Sequence, residues 1–509
     1  MAGSPPTGRY RLKPGIKLIR ASGGGILLQP DPLRALKINR SAFEVLQRCR
    51  AEWRPDQHAK LRAPAGSTPF LDTLHHGGLL DWTPPLPVNW PRVSVVVPVY
   101  NRPARIEACL ASLANLDYPE NRIEIIVVDD GSTDFTAAVV RRFGVRLLVQ
   151  PRNMGQSVAR NTGVAAAGGE IIAFLDSDCI AEPGWLRELV PCFQDERVAL
   201  VGGYVAAYYR DKRMDRYEEA CSPLNMGADA VMGRGEHSVF YVPTCNMLVR
   251  KTIYEQMGGL DPGLHVGEDV DLCWRLMAAG HHLLYIPRGK VRHRHRSRIL
   301  PGFLRRFDYG TSEAVLYARF PGVAKQFPWQ PGGICALLAA AAGLVSLSWY
   351  WLAAMAGILV AESICKRIQL VRRMDIRLSI AEILSSLIKS HYQLAYYLAF
   401  YLVRYHLLPL AVLSMVFPPL TWPAAAIVLL PVVTVYLRKR PRLSLPVFAI
   451  FYLCEHAFYQ AGAFWGCIRQ KSFRLYGICF RYAGFIPGPK APARSRKTFK
   501  KGRKEAAIG

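Results

Sequence analysis

The sequence predicts an α/β domain built on a parallel sheet, with a unit of short strands before it and apolar helices after it. Residues 92 to about 300 alternate apolar runs with helical segments. Short alternating stretches precede them, and long uncharged runs follow. A chain of 509 residues has room for several units. We place the units and the segments around them at 1–85, 86–92 (a Pro-rich linker), 93–325, 326–485 and 486–509 (a basic flexible tail).

The first unit is predicted from local patterns alone. Tyr10–Leu12, Ile16–Ile19 and Gly25–Leu28 have the composition and alternation of short strands. A helix should then begin, with Asn39 or Ser41 as its N-cap. These signals predict a small strand–helix unit before the linker.

The central segment predicts a sheet that is covered on both faces. Its strands are predicted where four apolar runs occur, at Val93–Val97, Ile123–Val128, Arg146–Val149 and Ile171–Leu175. Continuous apolar runs separated by helices are typical of buried parallel strands. Ligands of such sheets bind at the carboxyl ends of the strands. We therefore expect the functional residues at that edge.

Acidic motifs follow two of these strands. Asp129 and Asp130 come after the second, and such carboxylates can either bind a base and ribose or cap a helix. Asp176, Ser177 and Asp178 come after the fourth. Two carboxylates one residue apart can bind Mg²⁺ or Mn²⁺ and sugar hydroxyls, although an Asp-x-Asp is weak on its own.

A loop and a helix lie between these motifs. Asn153 and Gly155 predict a tight loop, and Arg160 follows about one helical turn later. Arg160 is a candidate for contact with diphosphate oxygens, and an ordinary surface arginine is the alternative.

Two later motifs complete the candidates. Glu268 and Asp269 begin a predicted helix, where they can either cap it or supply a general base for an acceptor hydroxyl. His293 and His295 follow a predicted strand at 283–286, among arginines. A neutral histidine can ligate a metal and the arginines can neutralise a diphosphate, and an unspecific basic patch is the alternative.

The ordered set of motifs, with Val-Pro-Val-Tyr-Asn ending the first strand, resembles a family-2 glycosyltransferase over residues 92 to about 300. The resemblance implies a GT-A fold, a nucleotide-sugar donor, a divalent cation and inversion at the anomeric carbon. The residues that it assigns to the nucleotide sugar are Pro98, Tyr100, Asn101, Asp129, Asp130, Asn153, Gly155, Arg160, Asp176 and Ser177.

The same resemblance implies the catalytic and metal-binding roles. Asp269 would be the catalytic base, with Glu268 beside it. Asp178 would bind Mn²⁺ or Mg²⁺ together with Asp176. His295 would be the later metal ligand, in preference to His293.

The first unit carries a resemblance of its own. Residues 9–49 look like the PqqD-like, winged-helix-like domains that recognise leader peptides by strand addition. Joined to a transferase domain and apolar helices, this layout is similar to the glycosyltransferases of the mycofactocin system. That resemblance implies transfer of glucose from UDP-glucose to a peptide-derived redox cofactor precursor. The alternative is a membrane glycosyltransferase that builds a polysaccharide or glycolipid, with a merely structural first unit.

Two apolar runs predict association with a membrane. Residues 332–361 and 405–437 contain no Asp, Glu, Lys or Arg, and each is long enough to cross a bilayer core. The Pro-Pro-Leu-Thr-Trp-Pro sequence at 418–423 predicts a turn that divides the second run into two short helices.

The net charge of +27 is concentrated near these runs and near the two histidines. No recognition helix or stacking platform accompanies it, so we expect no nucleic-acid partner. Basic segments beside apolar runs favour the cytoplasmic face. We therefore expect a cell-membrane protein whose catalytic domain faces the cytoplasm. We also expect its cysteines to be reduced, because the sequence contains no CxxC.

Overall fold

The computed structural model describes residues 8–482 except 22, 31–32, 52–66, 234, 236–238 and 375. The predicted basic tail at 486–509 lies outside the described residues. The predicted linker at 86–92 contains no helix or strand.

The first unit contains the predicted strands and several further elements. They are β1 (Arg9–Leu12), β2 (Lys17–Ala21), β3 (Gly24–Pro30), β4 (Leu33–Asn39), α1 (Arg40–Arg48), α2 (Ser67–His76) and β5 (Leu80–Thr83). Strands β2, β3 and β4 form an antiparallel sheet in that order, and β1 pairs with β5. Asn39 caps α1, because its Oδ1 accepts the backbone N–H of Ala42 at 2.8 Å.

The central unit follows the predicted alternation of strands and helices. Its first half comprises β6 (Val93–Val99), α3 (Pro103–Leu113), β7 (Ile123–Asp129), α4 (Thr136–Arg141), β8 (Arg146–Val149), α5 (Gln156–Ala166), β9 (Ile171–Leu175), β10 (Cys179–Ala181) and α6 (Trp185–Leu189). Its second half comprises β11 (Val198–Gly202), β12 (Val205–Ala207), α7 (Arg213–Cys221), β13 (Val231–Gly233), β14 (Asn246–Arg250), α8 (Lys251–Gln256), α9 (Glu268–Ala278), β15 (His282–Tyr285), β16 (Val291–His293), α10 (Ile299–Arg319) and β17 (Lys325–Trp329).

The main sheet is mixed, whereas the sequence predicts a parallel one. Its eight strands lie in the order β13-β15-β11-β14-β9-β6-β7-β8. Strands β13 and β14 run against the other six. The four predicted strands do form the parallel part, β9-β6-β7-β8.

Both faces of this sheet are covered, as predicted. Alternate side chains of β6 enter different cores: Val96 packs on one face, and Val95 and Val97 pack on the other. This strand is buried at every residue. Its apolar run is continuous because neither face meets water.

A second, three-stranded sheet, β10-β16-β12, lies at the edge where the motifs gather. Strands β10 and β16 are antiparallel, and their register places Cys179 opposite His293. Asp178 directly precedes Cys179. This pairing brings a histidine from late in the chain beside the Asp-x-Asp motif.

The C-terminal elements are α11 (Pro331–Ser346), α12 (Tyr350–Met374), α13 (Ile380–Val416), α14 (Thr421–Lys439), α15 (Leu445–Gln470) and β18 (Ile478–Tyr482). In the described part of the chain, two helical segments are long and apolar enough to cross a membrane, by length and composition alone. They are Ile380–Val416 and Pro418–Lys439, with mean hydropathies of 1.5 and 2.0.

The helix boundaries correct two expectations about the apolar runs. The run at 332–361 is interrupted where Leu347 has φ +52°, so α11 ends after 16 residues and spans about 24 Å. The turn predicted in the second run is present at Pro418–Leu420. The helices beside it are not short, because α13 begins at the Ser379 capping box, far before the apolar run, and continues through a kink at His406.

Glycines allow α10 to pack closely on α15. A Cβ on Gly310 would lie 2.2 Å from the carbonyl oxygen of Tyr459, and one on Gly462 would lie 2.0 Å from that of Phe307. No side chain fits at such distances. The backbones of α10 and α15 are therefore in direct contact, which packs the C-terminal helices against the last long helix of the central unit.

The first unit also contacts the C-terminal helices. Ile26 and Leu28, on one face of the small sheet, cluster with Ile376, which lies between α12 and α13. Lys17 on β2 pairs with Glu382 on α13 at 3.5 Å. The small sheet is thus covered on one face by its own helices and on the other by this segment.

Candidate active site

A cavity of about 700 Å³ opens at the carboxyl ends of β6, β7 and β9. Helices α9 and α10 form further walls, and Arg404 of α13 and Tyr459 of α15 reach it from the C-terminal helices. The predicted residues that line it are Pro98, Tyr100, Asp130, Asn153, Gly155, Arg160, Asp176, Ser177, Asp178, Glu268, Asp269, His293 and His295. The strand-end motifs therefore meet in one site.

Two predicted residues, Asn101 and Asp129, are not among those that line the cavity. Asn101 has φ +50°, and its Oδ1 accepts the backbone N–H of Thr133 at 2.9 Å. Asp129 is buried, and its Oδ1 accepts the backbone N–H of Ser132 at 2.9 Å. Both side chains hold the loop after β7 in place instead of facing the cavity.

Asp130 ties two loops together. Its carboxylate accepts the backbone N–H groups of Met154 at 2.7 Å and Gly155 at 2.9 Å. Gly155 has φ +94°, a conformation that glycine adopts without strain, so the predicted tight loop forms here. The loop after β8 is thereby fixed against the end of β7.

Arg160 bridges two acidic motifs and is not a surface arginine. Its side chain is 1% exposed, and its two terminal nitrogens meet Asp176 Oδ1 at 2.5 Å and Glu268 Oε1 at 3.1 Å. Gln156 adds a hydrogen bond to Glu268 at 2.8 Å. Two carboxylates thus hold the guanidinium of Arg160 in a buried ion pair, and its contact with diphosphate oxygens stays a prediction.

Of the two acidic residues at the start of α9, Asp269 is the one that is placed to act as a general base. It is half-buried on the cavity wall, and its Oδ1 accepts the adjacent backbone N–H of Val270. Burial, with the charge of Glu268 beside it, raises the pKa of Asp269 to about 7. A carboxylate with such a pKa can take a proton from a hydroxyl near neutral pH. Glu268 is instead held by Arg160 and Gln156.

Asp178 and the two histidines form the candidate cation site. Asp178 Oδ1 and His293 Nε2 lie 3.5 Å apart, and the Nδ1 atoms of His293 and His295 lie 3.1 Å apart. The sequence favoured His295 as the later ligand, whereas the structure places His293 nearer Asp178. The reason is the antiparallel register of β10 and β16, which places His293 across from Cys179.

These donors fit a divalent cation. Two ligands of one ion at about 2.1 Å each lie roughly 3–3.5 Å apart, which matches the Asp178–His293 separation. Within the described part of the chain, the buried Nε2 of His295 has no hydrogen-bond partner. The Cys179 sulfur belongs to the same group, but Mg²⁺ and Mn²⁺ prefer oxygen ligands. Asp176 is turned towards Arg160 and remains the weaker candidate ligand.

Two arginines that the sequence analysis did not single out contact Asp178. Arg102, at the start of α3, and Arg105, one turn on, both donate to Asp178 Oδ2, Arg105 at 3.2 Å. Burial by itself would raise the pKa of Asp178, but His293 and the two arginines hold that pKa below its usual value. Their position just after β6, at a strand end, was a usable signal in the sequence.

A buried charged group behind His295 was also missed. Glu218 Oε2 lies 4.0 Å from His295 Nδ1, and Glu218 Oε1 accepts from Arg306 at 2.7 Å. Burial raises the pKa of Glu218 and lowers that of His295 to about 3. Glu218 lies on α7 and Arg306 on α10, so only the packing of distant elements reveals this group.

Comparison with a family model gives one match. Residues 94–258 match "Glycosyl transferase family 2". The matched segment begins in β6 and ends after α8, and it includes the motifs after β6, β7 and β9.

Comparison with curated proteins finds longer matches. The chain is 33% identical over 350 residues to "Pre-mycofactocin glycosyltransferase" of Mycobacterium tuberculosis, covering 67% of this chain and 70% of that one. It is 33% identical over 202 residues to "Glycosyltransferase AglE" of Haloferax volcanii, covering 38% and 64%. Among solved structures, the mannosyltransferase PcManGT from Pyrobaculum calidifontis, in complex with GDP-Man and Mn²⁺, aligns with a TM-score of 0.38 at 20% identity, covering 70% of this chain and 90% of that one.

Proposed function

Since the chain belongs to glycosyltransferase family 2 and is a GT-A transferase, we propose that it transfers a hexose, with inversion, from a nucleotide sugar to a peptide-derived redox cofactor precursor. The donor we propose is UDP-glucose, and the product is a precursor with one sugar or a short oligosaccharide. The observation that carries the proposal is the 33% identity to the pre-mycofactocin glycosyltransferase over two-thirds of the chain.

The cavity supports a single-displacement reaction. Asp269 takes the proton of the acceptor hydroxyl, and the oxygen attacks the anomeric carbon while the bond to the diphosphate breaks. A divalent cation held by Asp178 and His293 would stabilise the negative charge that grows on the diphosphate. Asp130 fixes the loop that carries Asn153 against β7, and this loop lines the cavity where we propose that the nucleoside binds.

The first unit is proposed to recognise the peptide part of the acceptor, as a PqqD-like domain. Strand β2 is an end strand of the small sheet, so its outer edge is the place for an added strand. Both faces of that sheet are covered, which leaves an edge as the surface for pairing.

The C-terminal helices are proposed to hold the enzyme at the cell membrane, with the catalytic domain facing the cytoplasm. Large apolar side chains are exposed at two helix–helix turns, among them Leu347, Trp349, Phe417 and Trp422. Arg438, Lys439 and Arg440 follow at the other end of α14 and suit an anionic lipid surface.

A direct assay tests the proposed reaction. The purified full-length enzyme is incubated with UDP-glucose, UDP-galactose or GDP-mannose, with Mn²⁺ or Mg²⁺, and with the processed precursor peptide, and products are identified by mass. With UDP-glucose we expect one or more additions of about 162 Da, which is the mass of one hexose residue. Asp269→Asn serves as the inactive control.

Other outcomes of that assay contradict the proposal. If the precursor is unmodified while lipid extracts or oligosaccharides gain hexose, the alternative membrane polysaccharide or glycolipid transferase is correct. Equal incorporation from all three donors would overturn the choice of UDP-glucose.

A further inference from the structure

We propose that Arg102 and Arg105 bind the diphosphate of the donor, an inference that rests on the proposed transferase function. Both arginines line the cavity beside Asp178. Their guanidinium groups contact one oxygen of that carboxylate, Oδ2, while His293 lies against the other, Oδ1. The two carboxylate oxygens of Asp178 thus have different partners.

Several other arginines lie at or near the cavity, and some of them are occupied by acidic side chains, whereas Arg294 stacks on Tyr208 and Arg296 donates to the carbonyl oxygen of Pro301. Arg160 is held by Asp176 and Glu268, and Arg306 is held by Glu218 and Glu455. Arg292 pairs with Glu182 at 2.9 Å. These three are therefore fixed by neighbouring carboxylates.

Arg102 and Arg105 retain donors for a ligand. Their side chains are 41% and 39% exposed, although they touch a carboxylate that is only 11% exposed. A guanidinium has five N–H groups, and each arginine uses one on Asp178. Planar N–H groups of this kind match phosphate oxygens well.

The position of the pair suits a diphosphate in particular. A cation at Asp178 Oδ1 and His293 would share the diphosphate with the two guanidinium groups on the Oδ2 side. The resulting positive charge surrounds the group that becomes more negative as the sugar leaves. Asp178 keeps both arginines oriented before the donor arrives.

The test measures diphosphate binding, without turnover, on the full-length protein. The variants are Arg102→Gln, Arg105→Gln and the double variant, and the probes are pyrophosphate, UDP, GDP and uridine, titrated by calorimetry with Mn²⁺ and with EDTA. Arg142→Gln is the matched control, because Arg142 is exposed and pairs with Glu107 of α3 outside the cavity.

We expect each single variant to weaken pyrophosphate and nucleoside diphosphate binding about tenfold or more, in EDTA as well as in Mn²⁺, since each loses charge-assisted hydrogen bonds. Binding of uridine, which has no phosphate, should stay within twofold, and Arg142→Gln should match the wild type. The lysine variant at either site should recover part of the loss.

Three results would overturn the inference. One is unchanged diphosphate affinity in the double variant. Another is an equal loss for uridine, which would indicate damage to the fold. The third is a loss of Mn²⁺ affinity, measured alone by electron paramagnetic resonance, that accounts for the whole effect, because the arginines would then act through Asp178. Failure of the wild type to bind either nucleoside diphosphate would instead contradict the proposed function.

Discussion

The hydroxyl of Tyr217 donates a 2.6 Å hydrogen bond to Oε2 of Glu455. Tyr217 lies on α7 of the catalytic domain, and Glu455 lies in the middle of the apolar helix α15. The other oxygen of Glu455 meets Arg306 at 3.6 Å and Arg404 at 3.4 Å. One buried carboxylate thus joins three further elements, so the C-terminal helices are fitted to the catalytic domain by a specific polar contact.

Replacement of Glu455 should destabilise the protein strongly. Glu455→Gln removes the carboxylate that Arg306 and Arg404 share; Arg306 keeps Glu218, but Arg404 loses its acidic partner, and breaking such a buried pair costs about 3–5 kcal/mol. Chemical unfolding in mild detergent would measure the change. Glu44→Gln is the control, because Glu44 pairs with Arg40 on an exposed surface and should change stability by less than about 0.5 kcal/mol. Equal stability of the two variants would contradict the assigned role of Glu455.

The close approach of α10 and α15 predicts sensitivity to one added methyl group. In Gly462→Ala the new Cβ would lie 2.0 Å from the carbonyl oxygen of Phe307, so the helices must separate. We expect a loss of about 1–3 kcal/mol in the same unfolding measurement. Gly357→Ala, where no atom of the described residues lies within 4 Å of the new Cβ, should be neutral or stabilising. A stable Gly462→Ala protein would show that this packing is wrong.

The charge state of Asp269 should control the acidic side of the pH profile. A base acts in its ionised form, and burial with the nearby Glu268 charge raises the pKa of Asp269 to about 7. We therefore expect kcat/KM to fall about tenfold per pH unit below about pH 7 and to level off above it. A profile that is flat down to pH 5 would exclude Asp269 as the titrating base.

Asp269→Asn should separate binding from transfer. The amide keeps the size of the side chain but takes no proton, so donor affinity should stay within a few-fold while transfer falls by at least about 100-fold. Calorimetry with UDP and product mass measure the two quantities. Asp271→Asn, whose acid pairs with Arg275 outside the cavity, is a control on the same helix. Unchanged transfer by Asp269→Asn would refute the assignment.

Loss of the Asp178 carboxylate should abolish the dependence on a cation. Asp178→Ala removes the oxygen ligand that faces His293, so activity should be low and no longer respond to Mn²⁺. Dialysis against EDTA followed by Mn²⁺ addition checks this, since the wild type should recover and the variant should not. Equal donor affinity of the wild type with and without Mn²⁺ would count against this cation site.

The sequence predicted the parallel strands and the turn at Pro418–Leu420 because these depend on local pattern. An apolar run is recognisable by itself, and so is a Pro-Pro turn. The ends of the apolar runs were less predictable: α11 stops at Leu347, and α13 extends back to Ser379. The packing around these positions sets where the helices end, and this packing cannot be read from the composition of the sequence.

What the sequence by itself determined is which side chains gather at the strand ends, because parallel strands bring their carboxyl ends to one edge. Only the tertiary structure decided what each side chain does there. Arg160 proved to be a buried bridge, His293 rather than His295 faces Asp178, and Arg102 and Arg105 flank the same carboxylate. Charged groups more than a hundred residues apart in the chain, such as Arg160 and Glu268, are paired by distance and burial, and neither quantity can be read from the order of the chain.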